Sequence, residues 1–328
     1  MTEIRRRAML QLAASAIPPA LWSRQASAAW PEQPTRLICP FAAGGPTDVA
    51  ARIVAESLSM QLPQRVVVEN RTGSGVVVGT EAVAKAPKDG HTLLYNTIAH
   101  AVLRPLFPSL SFDPVKDFQP VALVGVVPML LMVNKNVPAQ NLQELIAMFR
   151  DKPGQFNYGS SGNGGAVHLA SELFLRQAGN LRVSHIPYRG SAPAMPDLLN
   201  GNLAMFLNVA SDGIESARSG ATRALAVTGD KRLPQLPDVP TFAEAGLPRY
   251  EAYTWHMILA PSGTPMALVN QINAATNAVL ATPAVQQRFA ELSIQPRPGS
   301  TVDSATSWLK AEMDKWEPIV REAGITAN

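Results

Sequence analysis

Two glycine-rich turns constrain this 328-residue chain more than any other feature. The first is Pro40-Phe41-Ala42-Ala43-Gly44-Gly45-Pro46-Thr47-Asp48, and the second is Tyr158-Gly159-Ser160-Ser161-Gly162-Asn163-Gly164-Gly165. Each follows a short apolar run and opens a segment whose apolar residues recur at helical spacing. A strand that runs through a tight turn into a helix is the unit of α/β folds. The first turn of a helix leaves backbone N–H groups without acceptors. With the macrodipole they act as roughly half a positive charge. A carboxylate or phosphate can sit there without any lysine or arginine. Ser160, Ser161 and Asn163 add side-chain donors at the second turn.

Strand–helix alternation continues along the chain. Strands are expected at 36–41, 66–68 and 91–95, with Pro46 suited to the first position of the intervening helix because its missing N–H needs no partner there. This spacing predicts parallel βαβ units. Apolar runs at 121–124 and 129–133 precede a second series: a helix opened by Asn141 with Glu144 three residues on, strands at 156–158, 183–186, 204–207 and 224–227, and helices at 166–178 and 195–199. The Pro-rich stretch 230–240 reads as a loop. A strand at 253–260 and three helices, about 266–281, 285–292 and 302–323, complete the chain. The fold class expected is α/β with two lobes, each a mainly parallel sheet flanked by helices. Residues 29–125 with 255–328 form one lobe and 126–254 the other, and the strands near 121–134 and 253–260 cross between them. Asn96 and Thr97, after the third strand, are expected to line the same cleft as the two turns.

Residues 1–28 read as an export signal. Arg5, Arg6 and Arg7 precede an apolar stretch to Leu21, and Ala26-Ser27-Ala28 suits cleavage. Arg6-Arg7 also approximates a twin-arginine signal. Four arginines against Glu3 place the whole formal excess of +3 in this segment. The remainder is formally neutral, which gives no support for nucleic-acid binding. A periplasmic location follows. Cys39 is the single cysteine, so no internal disulfide can form, and its apolar neighbours mark it as a buried strand residue rather than a nucleophile.

Pro40 to Gly45 with Asp48 resembles the first ligand loop of the Bug-type receptors, the substrate-binding proteins of tripartite tricarboxylate transporters. Val68-Glu69-Asn70-Arg71 with Gly73 and Gly75, and Asp89 to Leu94, fit the same family. So do Tyr158 to Gly162 with His168-Leu169-Ala170 and Glu172, Pro187-Tyr188 with Gly190, Asp197-Leu198-Leu199, and Ala260-Pro261 with Gly263-Thr264-Pro265. The resemblance covers the chain beyond the signal in order. It implies a Venus-flytrap fold that holds a small carboxylate by backbone amides of both loops, partly through ordered waters. Carried over, the contacts are Phe41, Ala42, Gly44, Thr47 and Asp48, and Ser160, Ser161, Gly164 and Asn208. It implies a receptor that hands its ligand to the membrane components of a transporter; a monomer is the default expectation, and no catalytic residue, metal or cofactor is expected. Departures are Val76 for a usual glycine, Gly165 for a common hydroxyl residue, and Ala204 and Leu207 for positions often acidic. The last two argue against a ligand bearing an ammonium group.

Three rivals remain. A ligand sensor docking on a signalling protein would share fold and pocket. A dinucleotide-dependent oxidoreductase is suggested by Gly73-Ser74-Gly75 with Gly79, but the spacing is one residue too wide. Gly159-Ser160-Ser161-Gly162 lacks the spacing of a serine-hydrolase elbow. His168 and Glu172, one helical turn apart, lack a third metal ligand, and the bland reading of His168 is a packed or capping histidine. Trp255, Trp308 and Trp316 read as packing residues, Trp255 being the one placed near the cleft.

Overall fold

A computed structural model describes residues 30–326. The expected export signal lies outside the described residues. The chain begins with β1 (Thr35–Cys39), α1 (Pro46–Gln61), β2 (Val66–Asn70), α2 (Val77–Ala84) and β3 (Thr92–Asn96), followed by a single 3-10 turn (Ile98–His100), α3 (Leu103–Leu106) and β4 (Phe118–Val127). A second series follows: β5 (Met129–Asn134), α4 (Leu142–Asp151), β6 (Asn157–Ser160), α5 (Ala166–Gln177), β7 (Ser184–Pro187), α6 (Ala194–Asn200), β8 (Met205–Val209), α7 (Ala210–Arg218) and β9 (Thr222–Val227). The chain ends with β10 (Thr254–Pro261), α8 (Met266–Leu280), α9 (Pro283–Glu291), β11 (Gln295–Pro296) and α10 (Val302–Glu322).

Two sheets result, with strand orders β11-β4-β10-β3-β1-β2 and β7-β6-β8-β5-β9. The expected α/β architecture is present. The sheets are mixed rather than mainly parallel: β1 pairs in parallel with β2 and β3, whereas β10 runs antiparallel to both β3 and β4. In the second sheet β6 is parallel to β7 and β8, and β5 is antiparallel to β8 and β9. The antiparallel pairs arise where a strand is not delivered by a βα crossover.

The run near 121–134 does pass between the sheets. β4 belongs to the first and β5 to the second, with Pro128 alone between them. The strand at 253–260 does not cross. All of β10 lies inside the first sheet, and the return is made by the loop between β9 and β10. β10 is apolar on both faces because helices cover it, and this pattern does not distinguish a central strand from a crossing one.

One apolar cluster runs beneath both sheets, joining Leu94 and Trp255 of the first to Leu131 and Leu207 of the second. The helix α1 buries Ala50, Ile53, Val54 and Leu58, the face its spacing marked. Trp255 is fully buried, and its indole donates to Glu312 at 2.8 Å. Trp316 donates to the same carboxylate oxygen at 2.9 Å, and Lys315 pairs with the other oxygen. This carboxylate ties α10 to β10, and Trp255 is a core residue. Burial also pushes the Cys39 thiol up to about 11, so it stays protonated at neutral pH.

Candidate functional site

The first turn joins β1 to α1. Pro46 opens the helix and Gly45 is its cap residue, with no side chain bonded to the exposed amides. Thr47 and Asp48 therefore present first-turn N–H groups without intrahelical acceptors. Gly44 takes φ +78° with open space around it, a left-handed conformation that favours glycine. Ala42, Ala43 and Gly44 are exposed, Phe41 and Thr47 half-buried.

Asp48 is buried at 1 % exposure and its two oxygens are fully used. One accepts from Gly44 N and Arg52 Nε, each at 2.8 Å, and the other from Asn70 Nδ2 at 2.8 Å. Asn70 Nδ2 also donates to the Phe41 carbonyl at 3.0 Å, and Arg52 donates to Asn70 Oδ1 at 2.9 Å. Burial alone would raise the Asp48 carboxyl; the bonds from Arg52, Gly44 and Asn70 outweigh it and hold it below the usual range. Asp48 thus shapes the turn, and it also occupies the Gly44 amide. The Asp48 carboxylate and the Gly44 amide are thus engaged with each other, while the Asp48 N–H stays open.

The second turn joins β6 to α5. Gly165 is the cap residue and again no side chain caps the helix, leaving the amides of Ala166, Val167 and His168 open. The absence of the hydroxyl expected at position 165 leaves these donors unoccupied. By contrast Asn141, Thr282 and Thr301 cap α4, α9 and α10 with their own side chains. Ser160 is fully buried, its hydroxyl 2.6 Å from His185 Nε2 and accepting from Gly162 N at 3.1 Å. Gly164 N donates to His168 Nδ1 at 3.1 Å. The Ser160 hydroxyl and the Gly164 amide are therefore structural here. Ser161 is half-buried, and its carbonyl accepts from Gly190 N at 3.2 Å.

A chain segment of the first sheet reaches this turn. A side chain at Gly164, whose φ is +68°, would meet the Leu106 methyl at 2.7 Å. Phe41, Leu106 and Ala166 all pack on the same apolar cluster, so both turns rest on one core.

Asn96 and Thr97 stand beside this region but are occupied. Asn96 is fully buried; its Nδ2 reaches Thr80 Oγ1 and His100 Nδ1, each at 3.3 Å, and its Oδ1 accepts from Thr97 N at 2.9 Å. Thr97 Oγ1 accepts from Ala99 N at 3.3 Å and caps the 3-10 turn. They build a buried polar joint around the start of the 3-10 turn. Asn208 is fully buried, accepting from Ser191 Oγ at 2.8 Å and donating to Asp212 Oδ2 at 3.2 Å. Desolvation raises the Asp212 carboxyl. Leu207 is fully buried in the core, so packing explains its apolar side chain, and Asp212 is the acidic group at this strand end.

Among the described residues no cluster of three His, Cys, Asp or Glu suits a metal. A separate cavity of about 330 Å³ lies between α3, β4 and α10, lined by Pro105, Val115, Phe118, Leu309 and Met313. It contains none of the predicted residues.

The model of the tripartite tricarboxylate transporter family receptor matches residues 50–325. The chain belongs to that receptor family. BugT of Bordetella pertussis is 38% identical over 297 residues, covering 90% of each chain. A Rhodopseudomonas palustris protein solved with adipate is 35% identical, with TM-score 0.77 over 90% of this chain and 99% of that one. MatC of the same organism, solved with bound malate, is 31% identical, with TM-score 0.74 over 88% and 99%. The family is one of substrate-binding receptors rather than enzymes, which removes the dinucleotide reading of Gly73 to Gly79 and the hydrolase reading of Gly159 to Gly162.

Sequence reasoning did not single out Arg52, Asn70 and His185 as the groups that hold the turns. Asn70 lay in a segment already matched to the family. His185 carried no signal, since only the fold brings β7 beside β6.

Proposed function

We propose that this receptor captures a small organic carboxylate between its two glycine turns in the periplasm and delivers it to the membrane components of a tripartite tricarboxylate-type transporter. The observation that carries this reading is the pair of uncapped helix starts, α1 and α5, each opened by a glycine turn. The open donors are then backbone amides, with the Ser161 and Thr47 side chains beside them. They favour an anion through charge and geometry. The relatives solved with adipate and malate support a carboxylate as that anion.

In this reading residues 29–125 with 255–328 move as one lobe and 126–254 as the other. Ligand bridging both helix starts favours the closed form. The chain acts as a monomer after loss of residues 1–28. Micromolar binding requires about 8 kcal/mol, and charge-assisted bonds contribute about 1.5–3 kcal/mol each. Roughly four to six such bonds are enough after ordering costs.

Calorimetry tests this with adipate, malate and their neutral diamides. The acids should bind and the diamides should not. Equal affinity for acid and diamide would remove the helix starts from the account.

A further inference from the structure

The second turn rests on a pair of imidazoles that carboxylate binding does not itself require. His168, on α5, and His185, on β7, stack with ring centroids 3.8 Å apart and planes 16° from parallel. Tyr158, on β6, stacks on His185 at 4.9 Å. Its hydroxyl donates to Glu172 Oε1, and the same oxygen lies 3.9 Å from His168 Nε2. Both imidazoles of this stack are fastened to the turn, Gly164 N to His168 Nδ1 and Ser160 Oγ to His185 Nε2.

We infer that His168 is a positioning residue for the anion site: its unprotonated Nδ1 takes the Gly164 amide and fixes the turn so that the α5 amides remain open to the carboxylate. The inference rests on the reading of this turn as the carboxylate site. The tautomer follows from the geometry. An amide N–H is a donor, so Nδ1 must be an acceptor, and the neutral ring carries its proton on Nε2, on the Glu172 side. A second proton would place donor against donor at Gly164 and break the bond. It would also set a charge beside α5's positive end, where the carboxylate is to bind.

The surroundings keep the ring neutral. Burial is the main cause and the stacked His185 the second, and together they push His168 down to about 3. Burial holds His185 at about 4. The groups facing His168 are the Gly164 amide from the turn, Tyr158 from β6, His185 from β7 and Glu172 from its own helix. β8 contributes apolar Met205 and Leu207 to the same cluster, and the Glu322 of α10 is paired with Arg176 near the far end of α5. Among the described residues Glu172 is the one anion paired with the ring. Asp197 and Tyr188 bond each other one strand end away. An unperturbed imidazole would be largely protonated by about pH 6, so the stack lets the turn keep its shape under mild acid.

The test uses the whole mature chain with adipate as probe. Nitrogen-edited NMR of the wild type should show His168 as the Nε2–H tautomer, unchanged from about pH 8 to about pH 6. A ring that titrates near 6.5, or one protonated on Nδ1, overturns the inference. In His168→Ala, exchange of the Gly164 amide should accelerate and adipate affinity fall about tenfold or more. His168→Asn, whose amide oxygen can accept in the place of Nδ1, should restore both. Equal loss in the two variants, or wild-type affinity in both, overturns it. If wild type binds neither adipate nor malate, the proposed function fails, while tautomer and Gly164 exchange still decide the role of His168.

Discussion

The two glycine turns present the same thing, an uncapped helix start, but are held in opposite ways. The first is tied by charge: Asp48 gathers Gly44, Arg52 and Asn70. The second is tied by neutral groups, Ser160, His168 and His185. The Asp48 side chain is buried while Arg52 is about half exposed. A charged tie close to water is cheap to solvate on one side and tolerates acid until its carboxylate protonates. A neutral tie inside a stack adds no charge near the anion but gives way if a proton enters. A helix start can therefore be made ready for an anion by quite different chemistry, provided that chemistry leaves the first-turn amides alone.

The largest expected effect that tests this contrast is Asp48→Ala. It orphans the Gly44 amide, Asn70 and Arg52 together, and should cost about 3 kcal/mol of adipate binding, a loss near a hundredfold. Asp48→Asn should recover part, since an amide oxygen still accepts. A calorimetric affinity within a factor of two of wild type for Asp48→Ala would break the comparison.

Substitution at the glycines comes next. Gly164→Ala meets both a positive φ and the Leu106 side chain, and should lose about 2–3 kcal/mol of stability in urea. Gly44→Ala meets the backbone strain alone, about 1–2 kcal/mol. Combining Gly164→Ala with Leu106→Ala should restore some of the loss, and purely additive losses would show that the contact does not matter.

Mild acid should lower overall stability through the buried imidazoles while leaving both ties intact in the folded chain. His100, His168 and His256 are buried and, with His185, held well below the usual value, at about 3 to 4, by desolvation. The unfolded chain binds protons near 6.5 while the folded rings stay neutral, so stability is greatest above that pH and falls as pH drops through it. The loss should be on the order of 1 kcal/mol for each buried ring by about pH 6. Asp48, with its lowered carboxyl, contributes fully above about 3.9 and is lost only as pH falls further. Denaturant melts from pH 8 to 5 read the sign; rising stability across that fall would overturn it.

The smallest change is expected at Val76, which takes φ +76° at the start of α2 while packed in the core at 6 % exposure. Val76→Gly relieves strain of about 1–3 kcal/mol and loses burial of similar size. A net change within about 1 kcal/mol is expected by thermal melting.

The contrast between the turns also marks what the sequence made legible. Pro46 after two glycines announced α1, and Asn141 with Glu144 announced α4; the structure shows that pair bonded both ways, at 2.9 and 2.7 Å. Local chemistry carries such signals. The helix α7 went unseen because it follows β8 with no residue between, and Asp212-Gly213 in its first turns lowers helix propensity. The bonds that Asn70 makes to Asp48 and His185 to Ser160 were not legible, because these partners lie on other strands and only the fold brings them beside the turns.

Pro128 is the lone residue between β4 and β5, and its carbonyl accepts from Ala210 N at 2.9 Å. A pyrrolidine ring locks one torsion at this passage. Whatever swing the two sheets make there is confined to a few neighbouring bonds, so the path is closer to the turning of an elbow than to free tumbling. A glycine in that place would remove this lock without altering either glycine turn.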